Sequence, residues 1–116
     1  MRYLCLVHGD PAVWSRMSKM ESAAFDDEHL AYDDTLKAGD HLLAAHALEP
    51  AENATIVRVR DGRISTTDGP FAETKEQLGG FILIEARDLN EAIRLAAGIP
   101  SARLGSVEVR AVRYLR

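Results

Sequence analysis

The chain has 116 residues and a mass of 12.8 kDa, the size of a single domain covering residues 1–116. Hydrophobic residues make up 47% and charged residues 28%, as in an ordinary globular protein, and the formal net charge is −4. This acidic balance, without a cluster of Lys and Arg, argues against nucleic acid and anionic membranes as partners. No apolar run approaches the roughly 20 residues of a membrane span. A single cysteine excludes an internal disulfide, so we expect a cytoplasmic protein.

The first third of the chain predicts a strand, a short helical turn and a long helix. Residues 2–8 are apolar on both faces, which is typical of a central strand buried on both sides. An Asp-Pro pair at 10–11 predicts an N-cap followed by a short turn. Ser18 and Glu21 have the spacing of a capping box and predict the start of a helix that ends at Gly39.

The remaining chain predicts five more strands and a second long helix. Asp61-Gly62 is the strongest hairpin signal. Asp88 caps the second helix, with Glu91 at the capping-box position, and Gly98 ends it. Its predicted apolar stripe consists of Leu89, Ala92, Ile93 and Ala96. The other predicted strands lie at 41–48, 55–60, 63–67, 81–86 and 106–115; residues 81–86 are apolar on both faces, and residues 106–115 alternate.

With the hairpin left aside, the order of elements is strand, helix, strand, strand, helix, strand. This order predicts a ferredoxin-like α+β fold, βαββαβ, with an extra β-hairpin. The first and third core strands would lie in the middle of the sheet, and these are the two segments with apolar residues on both faces. Two helices cover only one face of such a sheet, so we expect a homodimer, in which a second copy covers the other face.

The most distinctive stretch is the signature loop at residues 68–80, with the sequence DGPF, then AETKE, then GG before an apolar strand. The Gly-Pro pair within it forces a turn. Together with the Glu-Val-Arg run at 108–110, this stretch resembles the DGPF group of the YCII-related family. The resemblance implies a dimeric α+β barrel, with lyase-type activity in some members. Relatives commonly follow Glu-Val-Arg with proline, whereas this chain has Ala111.

His29 is the single most informative residue. Phe25, His29, Tyr32 and Leu36 fall on one stripe of the first long helix, so the histidine faces the sheet. One interpretation is a core histidine satisfied by hydrogen bonding. The other is an acid–base residue paired with Asp33, one turn later on the helix. The resemblance favours the second, because YCII-type proteins carry a helix histidine in a similar His-Leu-Ala context.

Several other residues are candidates for a ligand site, each with a structural alternative. Asp68 is a second carboxylate for the pocket or an Asx-turn residue. Glu73, Lys75 and Glu76 form a solvated charge run, or Lys75 holds an anionic substrate group. Trp14 and Phe71 line a ligand cavity, or they belong to the core or to an interface.

No metal site or cofactor is expected. His41 and His46 are five residues apart on a predicted strand and therefore point to opposite faces. No other spacing offers the three or four ligands that zinc requires. No glycine-rich phosphate loop or nucleotide fingerprint is present.

Two functions of different class follow from these features. The first is a cofactor-free acid–base enzyme, lyase- or isomerase-like, acting on a small polar or aromatic organic acid. Its catalytic residues would be His29, Asp33 and Asp68, with Phe71, Glu73, Lys75 and Trp14 as substrate-binding residues. The alternative is a non-catalytic ligand-binding or interaction module. The resemblance links such modules to sigma factors, with a docking surface at Arg58, Arg60 and Arg63.

Overall fold

A four-stranded antiparallel sheet with helices on one face makes up the body of the protein, as described for residues 1–116 by a computed structural model. Two short 3-10 helices lie at Ala51–Asn53 and Pro100–Arg103. The fold is the predicted ferredoxin-like α+β arrangement with an added hairpin. Its elements are β1 (Arg2–Gly9), α1 (Pro11–Ser15), α2 (Lys19–Ala38), β2 (Leu42–Ala47), β3 (Thr55–Arg60), β4 (Arg63–Asp68), β5 (Gln77–Glu85), α3 (Leu89–Ala97) and β6 (Ser106–Ala111).

The strand order in the main sheet is β2-β5-β1-β6, so β1 and β5 are central, as predicted. Cys5 lies opposite Ile82 of β5 and Val109 of β6. Alternate residues of the two central strands join α2 and α3 in one apolar core, whose members include Tyr3, Cys5, Leu36, Ile82, Ile84, Ala92 and Leu95. Burial raises the pKa of the Cys5 thiol to about 11, so Cys5 behaves as a small hydrophobic residue.

The opposite face of the sheet is not covered by any element of the chain. Leu4 pairs with Leu83, and Leu6 pairs with Phe81, so four large apolar side chains stand next to one another on this open face. All four are only half-buried, although their strands lie at the centre of the sheet. The open face also carries polar residues of β6 and the last residues of β1.

Helix α2 begins as predicted, with both bonds of the capping box formed. The Glu21 amide donates to Ser18 Oγ at 3.0 Å, and the Ser18 amide donates to Glu21 Oε1 at 3.1 Å. The bond from the Ser18 amide, followed by that of the Ser18 side chain, holds the pKa of the Glu21 carboxyl below its usual value. None of the helices combines the length and apolar composition needed to cross a membrane.

The predicted apolar stripe of α3 is only half correct. Ala92 and Ala96 are buried, but Leu89 and Ile93 are exposed, and Glu91 is buried instead. The reason is the cap at Asp88. Its carboxylate accepts the Glu91 amide, and Glu91 turns back to accept the Arg87 amide at 3.0 Å, which places its side chain against the body of the protein.

Replacing Glu91 with glutamine is expected to lower the melting temperature by several degrees. Its carboxylate accepts the Arg87 amide and pairs with the guanidinium groups of Arg87 and Arg94 at 2.9 and 3.2 Å. The Arg87 amide bond is the main cause that lowers the pKa of Glu91. Its stabilisation is therefore present above the usual glutamate pKa and is lost as the pH falls through the lowered folded value.

Thermal unfolding at pH 7 and at pH 3 tests this expectation, with Glu85→Gln as the control, since Glu85 makes its ion pairs in an exposed position. The difference between wild type and the Glu91 variant should shrink at pH 3. An equal difference at both pH values would contradict the assignment.

The hairpin of β3 and β4 forms a separate two-stranded sheet, which we call the hairpin arm (residues 55–68). Its turn has positive φ at both central residues, 53° at Asp61 and 75° at Gly62, as the sequence predicts. A bond from the Gly69 amide to the Ala54 carbonyl at 2.7 Å closes its base. The two strands pack mainly against each other rather than against the body.

A Gly62→Val substitution is expected to destabilise the hairpin arm by about 1–2 kcal/mol, because a β-branched residue adopts positive φ poorly. No atom lies within 4 Å of a Cβ at this position, so crowding does not contribute. Hydrogen exchange should show faster exchange in residues 55–68 with the body unchanged. Ser65→Val, which introduces a β-branched residue in a strand of the same arm, serves as the control. Global unfolding of the Gly62 variant would place the turn within the core.

Candidate functional site

The signature loop is held by its own side chains between β4 and β5. Gln77 Nε2 donates to the carbonyls of Ala72 and Thr74, both at 3.0 Å. The Thr74 hydroxyl donates to the carbonyl of Glu76. These local bonds hold the loop in one conformation while most of it stays exposed to solvent, so the loop can form a wall of a ligand cavity.

The loop ends earlier than predicted, because β5 begins at Gln77 rather than at residue 81. Gly79 and Gly80 therefore belong to the strand. The Trp14 ring lies against Gly79, where a Cβ would come within 2.6 Å of it. On Gly80, a Cβ would lie 2.9 Å from the carbonyl oxygen of His46 on the neighbouring strand. The glycines thus permit close packing inside the sheet instead of loop flexibility.

Two adjoining cavities of about 410 and 450 Å³ open beside the signature loop. Both are bounded by the 3-10 helix at residues 51–53 and by Pro70, Thr74 and Gln77. The first has the more polar lining of the two and also contains Glu52, Asp68 and Glu73. The second has a more apolar wall and contains His8, Leu48, Pro50, Phe71, Glu76 and Leu78.

His8 is the histidine that opens onto the second cavity. Its Nε2 lies 3.1 Å from Glu108 Oε1 across the β1–β6 pair. Arg110 binds the other oxygen of Glu108 through its Nε at 3.1 Å. The Arg110 bonds, followed by the His8 bond, hold the pKa of Glu108 below its usual value, so Glu108 is an anion at neutral pH. Glu108 and Arg110 therefore form a fixed charged support for the imidazole.

This support determines which nitrogen of His8 carries the proton. An ionised carboxylate only accepts hydrogen bonds, so Nε2 must be the N–H donor. In the neutral ring, the lone pair then resides on Nδ1, which makes no hydrogen bond within the chain. His8 thus presents an unpaired basic nitrogen while its other side is anchored, an arrangement suited to accepting a proton.

Glu76 connects the signature loop to the same edge of the sheet. Ser106 Oγ donates to Glu76 Oε1 at 2.7 Å, and Ser106 lies directly opposite His8 in the β1–β6 register. The loop and the end of β1 therefore meet at the second cavity, and β6 contacts both from behind through Ser106 and Glu108, although the three segments are far apart in the sequence.

The structure brings three of the seven predicted site residues to the cavities: Asp68, Phe71 and Glu73. Lys75 is exposed on the same loop but lines neither cavity. Trp14 also lines neither. Its ring fills the space above Gly9 and Gly79, where a Cβ would come within 2.3 and 2.6 Å of it. Trp14 thus has a packing position on the sheet, which those glycines permit because they have no Cβ, and contact of Trp14 with a ligand stays a prediction.

His29 lies in the helix layer, lines neither cavity and does not bind a carboxylate, contrary to the prediction. Its Nδ1 lies 2.9 Å from the carbonyl oxygen of Phe25, and its Nε2 lies 2.8 Å from the hydroxyl of Ser101. Because a carbonyl only accepts, Nδ1 donates to it, and in the neutral ring Nε2 accepts the Ser101 hydroxyl. Burial raises the pKa of the nearby Asp33 carboxyl, and the charge of His29 offsets this in part. Asp68 makes no bond to His29.

Sequence reasoning missed His8 and Glu108, which are 100 residues apart. One signal was available. His8 continues the alternation of Leu4 and Leu6 toward the face that the helices leave open, and Glu108 interrupts the apolar residues of β6. Pairing of β1 with β6 in the ferredoxin-like order would have brought the two strands together.

Comparison with known proteins agrees with this fold. The chain is 37% identical over 112 residues to an uncharacterized protein of Rhizobium meliloti (strain 1021), covering 95% of this chain and 90% of that protein. In three dimensions it is similar to the 5-chloro-2-hydroxyhydroquinone dehydrochlorinase of Burkholderia phenoliruptrix AC1100, solved in complex with 2,5-dihydroxybenzoquinone. The TM-score is 0.59 at 19% identity, with 98% of this chain and 95% of that chain covered. At this identity the likeness concerns the fold.

The match to the family itself extends over the whole chain. The model of the YCII-related domain matches residues 1–116, in agreement with the signature loop and with the order of elements in the sheet. The chain therefore belongs to the YCII-related family.

Proposed function

We propose that the protein is a cofactor-free acid–base enzyme, lyase- or isomerase-like, that acts on a small polar ring compound at the signature loop. The observation that carries this proposal is His8, anchored through Nε2 by Glu108 and open to a cavity of about 450 Å³. The structural relative named above removes HCl from a hydroxylated ring, and it supports the reaction class by analogy of fold.

The proposed chemistry needs only the side chains present. Nδ1 of His8 takes a proton from an O–H or C–H group of the substrate. The released electron pair forms a double bond, and a leaving group departs from the ring with its own pair. The imidazolium that forms is stabilised by the ionised Glu108, which Arg110 holds in place. Loss of the proton to water then returns His8 to its starting form.

The lining of the cavities favours an uncharged substrate. It contains no lysine or arginine, and Lys75 lies outside it. An anion would therefore meet repulsion, so we propose a neutral polar ring in preference to the organic acid expected from the sequence. The apolar wall, including Phe71 and Leu48, would hold the ring. The carboxylates of the lining are Glu49, Glu52, Asp68, Glu73 and Glu76.

For His29 and Asp33 we propose a supporting role. The Ser101 bond of His29 and the ion pair of Glu28 with Arg103 at 3.1 Å both connect α2 to the 3-10 helix before β6. His29→Gln should therefore lower stability and leave ligand affinity unchanged. Partners linked to transcription stay a prediction, and the three arginines on which it rests are considered below.

We also propose a homodimer, because large apolar residues lie side by side on the open face of the sheet. The accessible surface of the chain is 8398 Å², whereas a compact monomer of 12.8 kDa exposes about 6,300 Å². Sedimentation at micromolar concentration is expected to give about twice the chain mass. A monomer at this concentration would contradict the proposal.

Thermal shift with a panel of quinones and hydroquinones that are uncharged at neutral pH tests the ligand site. A compound present at tens of Kd should stabilise the protein by about 2 kcal/mol. Phe71 is 82% exposed at the cavity, so Phe71→Ser should weaken this shift without loss of folding. Leu115→Ser, at a similarly exposed residue outside the cavities, should keep it. Equal shifts in both variants would place the ligand elsewhere.

A further inference from the structure

The hairpin arm is a two-faced ribbon with no partner in its own chain. One face carries Val57, Val59 and Ile64, which are 62%, 57% and 76% exposed, and Val59 and Ile64 lie directly opposite each other. A two-stranded hairpin standing alone is marginally stable at best in water. Exposed apolar residues on such a ribbon therefore indicate that it packs against another molecule.

The other face of the arm is basic and electrostatically unfavourable by itself. Arg60 lies directly opposite Arg63, and Arg58 follows on the same face. None of the three forms an ion pair within the chain. Like charges that face each other across two strands are destabilising, so a neighbouring anion would stabilise this face.

The surfaces that would satisfy both faces are present on the chain itself, outside the arm. The open face of the sheet offers half-buried Leu4, Leu6, Phe81 and Leu83. The chain has 18 acidic and 14 basic residues, and only Asp61 and Asp68 of the acidic ones lie on the arm. The body is therefore the more acidic part, although its own arm makes little contact with it.

The excess exposed surface of the chain also agrees with the area that each copy buries in a homodimer. The chain exposes roughly 2,000 Å² more than a compact monomer of its mass. Obligate homodimers bury about 1,000–2,500 Å² per copy. The radius of gyration of 16.0 Å exceeds the value of about 13 Å for a compact chain of this length, because the arm projects. A two-fold contact would cover two arms and two open faces at once.

We propose that the hairpin arm of each copy packs against a second copy of this chain. Its valine and isoleucine face lies on that copy's apolar surface, and its arginines lie near that copy's carboxylates. The inference rests on the proposed homodimer and borders the catalytic proposal, because His8 lies on the same open face as Leu4 and Leu6. Its test measures self-association rather than turnover. It assigns the three arginines to self-association rather than to a transcription-linked partner.

Analytical ultracentrifugation of arm variants over a concentration series tests the inference. Val59→Ser combined with Ile64→Ser should raise the dimer dissociation constant at least tenfold. Arg60→Glu should raise it about fivefold at low salt and less at 0.5 M NaCl, because salt screens exposed charges. Arg113→Glu makes the same charge change at an exposed position outside the arm and should leave the constant within twofold.

The outcomes separate the two proposals. A dimer whose dissociation constant is unchanged by all arm variants would overturn the arm contact and leave the homodimer standing. A wild-type protein that is monomeric throughout would overturn both. Circular dichroism of each variant shows whether it is folded. Binding of the arm to nucleic acid or to another acidic protein, with self-association unaffected, would also overturn the inference.

Discussion

Replacing His8 with glutamine is expected to lower turnover by a factor of roughly 10² to 10⁴, the usual contribution of a positioned acid–base residue. Glutamine keeps a donor for Glu108 and nearly the same volume, so folding and ligand binding should change little. The loss should therefore appear in kcat rather than in KM. Initial rates of halide release from chlorinated hydroquinones, together with melting temperatures, measure both quantities.

Two further variants show whether the effect belongs to this site. His46→Gln alters a more exposed histidine of the sheet, which lies outside both cavities, and should keep full turnover. Glu108→Gln should lower kcat less than the His8 change, since it removes the support and retains the base. If His29→Gln abolished turnover while His8→Gln did not, the catalytic residue would lie in the helix layer instead.

The second large effect concerns the turn that leads into β6. A Cβ on Gly105 would lie 2.2 Å from the carbonyl oxygen of His8 and 2.9 Å from Cα of Gly9. Both are backbone atoms of β1, so no side chain can move aside. Gly105→Ala is therefore expected to cost about 3 kcal/mol and to lower the melting temperature by more than about 10 °C.

Gly39→Ala is the matched control for that substitution. Its Cβ would meet the ring of His41 at 3.0 Å and one backbone oxygen at 3.7 Å, and the ring can shift. Thermal and urea unfolding of both variants give the comparison. A Gly105 variant as stable as the Gly39 variant would mean that β1 and the turn are less tightly packed than the structure has them.

Features set by neighbouring residues could be predicted from the sequence. The capping box of Ser18 and Glu21, the positive-φ turn at Asp61-Gly62 and the central position of β1 and β5 all follow from local pattern. The buried face of α3 could not be predicted from the apolar pattern alone, because it depends on Glu91 folding back onto the Arg87 amide. That bond buries the Glu91 side chain at a position that the predicted apolar stripe leaves exposed to solvent.

The candidate site depends on contacts between distant residues, and this is why its prediction was incomplete. Asp33 has the correct i+4 spacing to reach His29, yet the Phe25 carbonyl and the hydroxyl of Ser101, 72 residues away, take both ring nitrogens. Conversely, the register of β1 and β6 brings His8 to Glu108 without any sequence proximity. The turn that opens the signature loop was located correctly because its chemistry is local, whereas the end of the loop was not, because Gln77 to Gly80 pair with neighbouring strands.

The measurement that tests the central claim most directly is ¹H–¹⁵N NMR of the histidine side chains, with and without the tightest-binding compound of the quinone panel. The free protein should show His8 protonated on Nε2 and His29 protonated on Nδ1, as their partners require. On binding, the ring nitrogens of His8 should shift while those of His29 stay in place. A ligand that shifts His29 and leaves His8 unchanged would contradict a site at the signature loop.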